Sequence, residues 1–458
     1  SSSSPSSPPP PTTNDKVKAV ILVGGPSRGT RFRPLSLTCP KPLFPIAGKP
    51  LIYHHILALS SIQGLKEIYL IGFFEDQVFA PFLTQVNTEL NGQNVRVKYL
   101  REYQALGTAG GIYHFRDVLL ANHTKYLFVL HSDICSGCPL QSMLQCHVSN
   151  HPHALCTLLT FRVSPDTTHR YGCVVTDSDT NEIVHYVEKP EFFISDTING
   201  GIYLLNTAVF QLLGQTLKSR SEVNLNTSPV RIEFDHVASS SFSGSSNESA
   251  NLTFASSIDS FTSSSKLRLE VDVLQALAGT NQLFAYESTD FWTQMKTATS
   301  AVIVNSHVLQ HNQRYRSESV NSETLQGPHI IGAVSIDSSS QIHPTAKIGP
   351  NVSIGPNAII GPGVRVKESI ILDSVEVKAN ACILYSVIGW NTVVGKWTRV
   401  EGQPADGVMQ RLMVNGQKTQ SATVIGHEVK LADEIIIRNC LVLPHKELKS
   451  SYRDDILM

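Results

Sequence analysis

This sequence predicts an α/β domain built on a mainly parallel sheet, followed by a left-handed parallel β-helix of hexapeptide repeats. Three observations carry that prediction. Short β-branched, apolar runs alternate with helical patterns from Val17 to about Leu309. One aliphatic residue then recurs every six toward the C-terminal end. At 458 residues the chain is too long for one ordinary domain, so two or three are expected.

The strand-like runs are Val17–Val23, Ile68–Gly72, Val95–Leu100, Tyr126–Leu130 and Leu155–Val163. Helical patterns at Leu51–Leu59 and Gly110–Leu120 fall between them, and such alternation marks an α/β domain. Residues 1–15 are rich in Ser, Pro and Thr and predict a disordered tail. From Ser239 to Ser265 serine dominates, and too few apolar side chains are present to offset the entropy of ordering, which predicts a flexible surface insertion. The α/β domain therefore spans 16–309 around that insertion, and residues 310–330 read as a linker.

The β-helix is expected over 331–458. Ile342, Ile348, Ile354, Ile360, Val366 and Leu372 stand six apart, and Gly follows several of them. The phase slips, resumes with Ile388, Val394 and Val400, breaks at 402–422, and returns with Ile425, Leu431, Ile437 and Leu443. One aliphatic per short strand fills the inside of a triangular coil, and Gly and Asn take the corners. An α-helix would space them by three or four.

Composition excludes several function classes. The formal net charge is −1, so there is no global basic field to attract nucleic acid or an anionic membrane. No apolar run approaches the roughly 18–20 residues that span a bilayer. The opening Ser-Ser-Ser-Ser-Pro lacks the basic and apolar regions of a secretory signal, and the missing initiator Met predicts a processed or truncated start. Eight scattered cysteines point to a reducing, cytoplasmic setting rather than a disulfide scaffold. Cys135 and Cys138 form a C-x-x-C followed by Cys146-His147, but a zinc site would want a second well-spaced pair, so these read as free thiols. Asn351-Val352-Ser353 would accept a glycan only in a secreted protein.

The chemistry-bearing motif follows the first strand: Gly24-Gly25-Pro26-Ser27-Arg28-Gly29-Thr30-Arg31-Phe32-Arg33-Pro34, then Pro40-Lys41-Pro42-Leu43. Glycines after a strand let backbone N–H groups approach phosphate oxygens, and Arg and Lys supply compensating charge. An ordinary βα turn is the competing reading of that loop taken alone. Further motifs follow in order: Glu102 with Gly107-Thr108-Ala109-Gly110, Ser132-Asp133, Tyr171-Gly172, Val187-Glu188-Lys189-Pro190 and Asn199-Gly200-Gly201.

This series resembles the sugar-nucleotide pyrophosphorylases, whose signature is G-G-x-G-T-R-x-x-P-L-T followed by P-K-P-L, over about residues 17–458 apart from the Ser-rich insertion. The resemblance implies a Rossmann-like, GT-A-like nucleotidyltransferase domain ahead of the β-helix. In such enzymes a sugar 1-phosphate attacks the α-phosphorus of a nucleoside triphosphate. The attacking oxygen is already anionic, so alignment and charge neutralisation matter more than a general base. By resemblance, the Gly24–Arg31 loop, with Gly25, would hold phosphates and Lys41 would stabilise the α-phosphate. Glu102 and Gly107–Gly110 would border the base and ribose. Asp133 would bind Mg²⁺, Glu188 and Asn199 would contact sugar hydroxyls, and Lys189 the sugar phosphate.

Three departures bear on activity. The phosphate loop carries two more residues than the active pattern between its Gly-Gly and its Gly-Thr-Arg. The usual Asn-Ser-Asp reads His131-Ser132-Asp133, where His131 alone reads as a packed or surface residue. In Phe291-Trp292-Thr293-Gln294-Met295-Lys296, Gln294 stands where active members carry the aspartate that completes the metal site. An amide is a poor substitute for a carboxylate at Mg²⁺. Losing about 3–5 kcal/mol of transition-state stabilisation would slow turnover by roughly two to four decades.

Together with the ending Leu443-Pro444-His445-Lys446-Glu447-Leu448 and the insertion at 402–422, these departures resemble the regulatory members of the GDP-mannose branch. That resemblance implies a pocket, with Gln294 near the diphosphate, that binds GDP-mannose without turning it over. It also implies homo- and hetero-oligomers with a catalytic beta subunit, on which the insertion acts, and no nucleic-acid or membrane partner. The alternative is an active enzyme that makes GDP-mannose and pyrophosphate, with Lys41 and Asp133 catalytic and Mg²⁺ as cofactor. A third reading, an acyltransferase, draws on the acetyl-CoA sites of other hexapeptide β-helices. It would need a catalytic His in a coil loop, and His343 and His445 lie at the ends of the repeats.

Overall fold

A computed structural model of the chain describes residues 16–25, 30–227, 266–315, 327–403, 413–414, 417–418 and 422–458. The expected tail 1–15, the Ser-rich insertion 239–265, loop residues 26–29 and most of the 402–422 insertion lie outside the described residues. The chain forms two compact units, each gathered from separate segments. The first takes 1–22, 63–129 and 141–288, and the second takes 23–62, 130–140 and 289–458. This grouping cuts across a sequence boundary at 310–330, because stretches of the α/β sequence pack with the β-helix.

In the first unit the nine-stranded sheet comprises β1 (Lys16–Gly24), β2 (Leu65–Gly72), β3 (Arg96–Arg101), β4 (Thr124–His131), β5 (Cys156–Arg162), β6 (Gly172–Thr176), β7 (Ile183–Glu188), β8 (Thr197–Asn206) and β9 (Leu283–Glu287). The last residues of β1 and β4 belong to the second unit. Its order is β7-β6-β8-β4-β1-β2-β3, with β5 pairing both β8 and β9. The sheet is mixed rather than mainly parallel: β2 and β3 run parallel, as do β5 and β9, whereas β6–β7 and β5–β8 are antiparallel. A tight turn explains one reversal. The Asp177 carboxylate accepts from the Asp179 and Thr180 amides and the Thr180 hydroxyl, folding β7 back on β6. Val20, Tyr69, Leu127, Val129, Leu158 and Tyr203 are among the buried residues of this unit's core.

In the second unit three parallel faces of seven, seven and six strands form the left-handed β-helix. Ile348, Ile354, Ile360 and Val366 fill its interior, as do Ile388, Val394, Val400, Ile425, Leu431 and Ile437. Two expected interior residues are corrected. Ile371 and Val442, not Leu372 and Leu443, point inward, since the corners after Val366 and Ile437 are one residue shorter than the repeat. Corner residues adopt the left-handed conformation, with Asn351, Asn357, Asn380 and Asn391 at φ of 54–60°. Several corners use other residues, including Glu368, Tyr385, Trp397 and His445.

The coil stack continues across the insertion: Ile388 pairs with Ile425 and Val400 with Ile437. A Cβ on Gly402 would come within 2.7 Å of the Ala422 Cα and 2.2 Å of the Tyr385 carbonyl oxygen. The excursion therefore leaves and returns at one corner, where only glycine fits. Within it, Met413–Val414 and Gln417–Lys418 pair as a short antiparallel ribbon in a segment expected to be irregular.

The helix Ser300–Tyr315 runs into the stretch expected as linker. Its Ala301, Val302, Val304, Val308 and Leu309 join Phe32, Phe44, Ile370, Leu372, Val387 and Val424 in one core, so its apolar face is covered by the β-helix. Within this contact Asn305 is fully buried. Its Oδ1 accepts from the Ala47 amide at 2.8 Å and the Ser353 hydroxyl at 2.9 Å. Asn305→Ala leaves both donors buried without that acceptor and should cost about 2–4 kcal/mol. Chemical denaturation of the variant against the wild type measures the loss. Among the described residues, no helix is long and apolar enough to cross a membrane.

Candidate functional site

The expected site residues fall into two sets, one in each unit. In the second unit Lys41, Asp133 and Gln294 are brought together. Lys41 opens a short 3-10 turn, Lys41–Leu43, ahead of Phe44. Phe44 is buried against Phe32 and Trp390, with ring centroids 5.1 and 6.1 Å away, and this packing fixes the segment. Gln294 ends the strand Trp292–Gln294, which pairs antiparallel with Ile134–Ser136 and sets Gln294 opposite Ile134. The Met295 amide donates to the Asp133 carbonyl at 2.8 Å.

Both carboxylate oxygens of Asp133 accept from nitrogen donors. Lys41 Nζ donates to Oδ2 at 3.0 Å and Gln294 Nε2 to Oδ1 at 3.2 Å. Burial would push the Asp133 carboxyl up, but the Lys41 ammonium, then His131, and the two hydrogen bonds outweigh it and hold the group below its ordinary value. His131, expected to be a packed or surface residue, thus contributes to the electrostatics of this carboxylate. An ammonium and an amide nitrogen thus face this one carboxylate. Gly24 lies at φ 69° at the end of β1 and Gly25 is buried, while the loop residues Pro26–Gly29 lie outside the described residues.

In the first unit a chain of hydrogen bonds links the motif residues Glu188, Asn199 and Thr108 through Tyr186, Tyr203 and Glu270. Tyr186 Oη donates to Glu188 Oε2 at 2.9 Å. Asn199 Nδ2 donates to the Tyr186 and Tyr203 hydroxyls at 3.0 and 3.1 Å, and its Oδ1 accepts from the Gly201 amide at 2.7 Å. Tyr203 Oη donates in turn to Glu270, whose other oxygen accepts from the Thr108 hydroxyl at 3.1 Å. Tyr186 and Glu188 are two apart on β7 and so share a face. Asn199 and Tyr203 are brought together along β8, where the register against β5 shifts between them. Lys189 is exposed and its Nζ pairs with Glu188 at 3.1 Å.

The Gly107–Gly110 segment is anchored to the chain that resumes after the Ser-rich insertion. The Ala109 and Gly110 amides donate to the Leu267 carbonyl at 3.0 and 3.1 Å, and Leu267 N donates to the Leu106 carbonyl at 2.8 Å. Gly107 has φ 86°, and a Cβ there would lie 2.3 Å from the Leu267 oxygen, so glycine is required. The Gly110 amide is thus engaged inside the protein. Glu102 is buried at the end of β3, and its amide donates to the Gly72 carbonyl at 2.7 Å.

Tyr186, Tyr203, Glu270 and Thr108 were missed as a network by sequence reasoning. The one available signal was the resumption of pattern at Leu267-Arg268-Leu269-Glu270 after a long Ser-rich stretch. The Cys135 and Cys138 thiols are free, and burial pushes both up, Cys138 to about 11.

Residues 18–233 match the family model described as Nucleotidyl transferase, and residues 330–457 match the one described as GMPPB C-terminal domain. A Dictyostelium discoideum protein, "Mannose-1-phosphate guanylyltransferase regulatory subunit alpha", is 43% identical over 96% of this chain and 98% of its own. A "Probable mannose-1-phosphate guanyltransferase" of Schizosaccharomyces pombe is 40% identical over 96% of this chain and 99% of its own. "Mannose-1-phosphate guanyltransferase alpha-B" of Xenopus laevis is 40% identical over 96% of this chain and 100% of its own.

Proposed function

The chain belongs to the mannose-1-phosphate guanylyltransferase family, and from that premise we propose that it is a regulatory subunit which binds GDP-mannose, does not synthesise it, and restrains a catalytic partner subunit. The observation that carries this reading is the internal neutralisation of Asp133 by Lys41 and Gln294. A metal-dependent nucleotidyl transfer needs that carboxylate free for a divalent cation, with a second carboxylate beside it. Here a neutral amide occupies the second position. An amide can hydrogen-bond a diphosphate without the charge repulsion of a metal-free aspartate. The name regulatory subunit alpha, carried by the Dictyostelium relative, supports the same reading.

In this reading Lys41, Gln294 and the amides at Gly24 and Gly25 meet the diphosphate. Asn199 and Glu188 meet the sugar hydroxyls, and Tyr186, Tyr203 and Glu270 hold Asn199 in orientation. Lys189 reaches the phosphate beside the sugar. Glu102 and the Gly107–Gly110 segment border the base and ribose. The free thiols suit the reducing cytoplasm.

Titration of the purified chain with GDP-mannose, without added metal, tests the binding. Saturable binding to the wild type is expected. Glu102→Ala should weaken it by about 1–3 kcal/mol, since a charged acceptor for base N–H groups is lost. An unchanged affinity in the variant would place Glu102 outside the site, and no binding to the wild type would end the proposal.

A further inference from the structure

A second cluster of ligand-type side chains lies on the β-helix. His427, Glu428 and His445 stand at corners of neighbouring coils, and one ligand atom from each lies within 4.8 Å of the other two. Glu428 and His445 are held at φ of 53° and 58°, and the His445 amide donates to the His427 carbonyl at 3.0 Å, so the corners stack in register. The Glu428 carboxylate and His445 Nδ1 approach to 3.0 Å. The two imidazole rings meet edge to face, with centroids 4.3 Å apart.

A surface His–Glu pair is common without a metal. The third ligand and its support distinguish this one. Thr38 Oγ1 lies 2.6 Å from His427 Nδ1. With that hydroxyl as acceptor, Nδ1 carries the proton and the Nε2 lone pair is left for a ligand bond, the outer-shell arrangement that orients metal-binding histidines.

We propose that His427, Glu428 and His445 form a binding site for a divalent transition metal of the zinc class. Two imidazoles and one carboxylate suit such a cation and leave one coordination position open, whereas magnesium and calcium prefer all-oxygen sets. This site is independent of the nucleotide-sugar reading.

The test is calorimetric titration of the full, tag-free chain with zinc chloride. His445→Asn is the preferred variant because asparagine tolerates the left-handed corner. The wild type should take up zinc with a dissociation constant of about 10 μM or tighter. His445→Asn and His427→Gln should each weaken that binding by about 100-fold or more, and Thr38→Val by about 10- to 100-fold. GDP-mannose affinity should be unchanged in His445→Asn, which keeps the two proposals separable. Zinc binding that survives both histidine substitutions, or no zinc binding to the wild type at 100 μM, which is about tenfold weaker than expected, overturns the proposal.

Discussion

Exchanging Gln294 for aspartate is expected to weaken metal-free binding of GDP-mannose by about 10- to 100-fold. The amide that now donates to Asp133 at 3.2 Å would be replaced by a second carboxylate, one methylene further back, facing the first. Two carboxylates so close cannot both ionise cheaply, and the diphosphate would bring further negative charge. Added Mg²⁺ should recover much of the lost affinity, since a paired carboxylate set suits that cation. GDP-mannose synthesis should nonetheless stay about two decades or more below that of a catalytic family member. The lengthened loop between Gly25 and Thr30 is still present in the variant. Isothermal titration with and without Mg²⁺, followed by a turnover assay, reads both outcomes. Unaltered metal-free affinity would remove Gln294 from the diphosphate's surroundings.

Deleting Gln403–Ser421 is expected to abolish feedback inhibition of the catalytic partner while leaving GDP-mannose binding and complex formation intact. Stacked coils have no packing reason to open for some twenty residues, and long loops on a rigid scaffold are disproportionately functional. The structure makes the deletion feasible, because the Ala422 Cα lies 2.7 Å from where a Gly402 Cβ would stand, and the flanking coils pair across the gap. The segment mixes Asp406, Arg411 and Lys418 with Val408, Met409, Leu412 and Met413, a composition suited to docking on a protein. Inhibition of the deleted complex as strong as that of the intact one would exclude this loop as the transmitter.

The six-residue period made the β-helix legible, because one inward aliphatic per strand is a strict geometric demand. Its exact phase was not legible. At Ile370-Ile371-Leu372 all three residues are buried, with Ile371 inside and the other two in the core shared with the helix Ser300–Tyr315. An apolar residue on both sides of a strand hides which side faces in. The end of the α/β domain was placed at Leu309, inside the helix Ser300–Tyr315, since the later turns carry His311, Asn312 and Gln313 and lack an apolar stripe.

Lys41, Asp133 and Gln294 were legible as motif residues, and their mutual hydrogen bonds follow from strand pairing that places Gln294 beside Asp133. Glu270 and Tyr203 were not, because they meet only through the register of β8 and the return of the chain at Leu267. Neither relation leaves a local pattern. The parallel sheet was over-read for a similar reason: strand-like runs do not state their direction, and the β6–β7 turn depends on the Asp177 side chain.

The central claim, regulation without synthesis, is tested most directly by the initial rate of GDP-mannose formation as GDP-mannose is raised. The rate is measured for the catalytic partner alone, for this chain alone, and for the reconstituted complex. The account predicts almost no synthesis by this chain, and a complex whose rate falls at GDP-mannose concentrations that leave the partner alone unaffected. Synthesis by this chain at the partner's rate, or a complex no more sensitive than the partner, would contradict it.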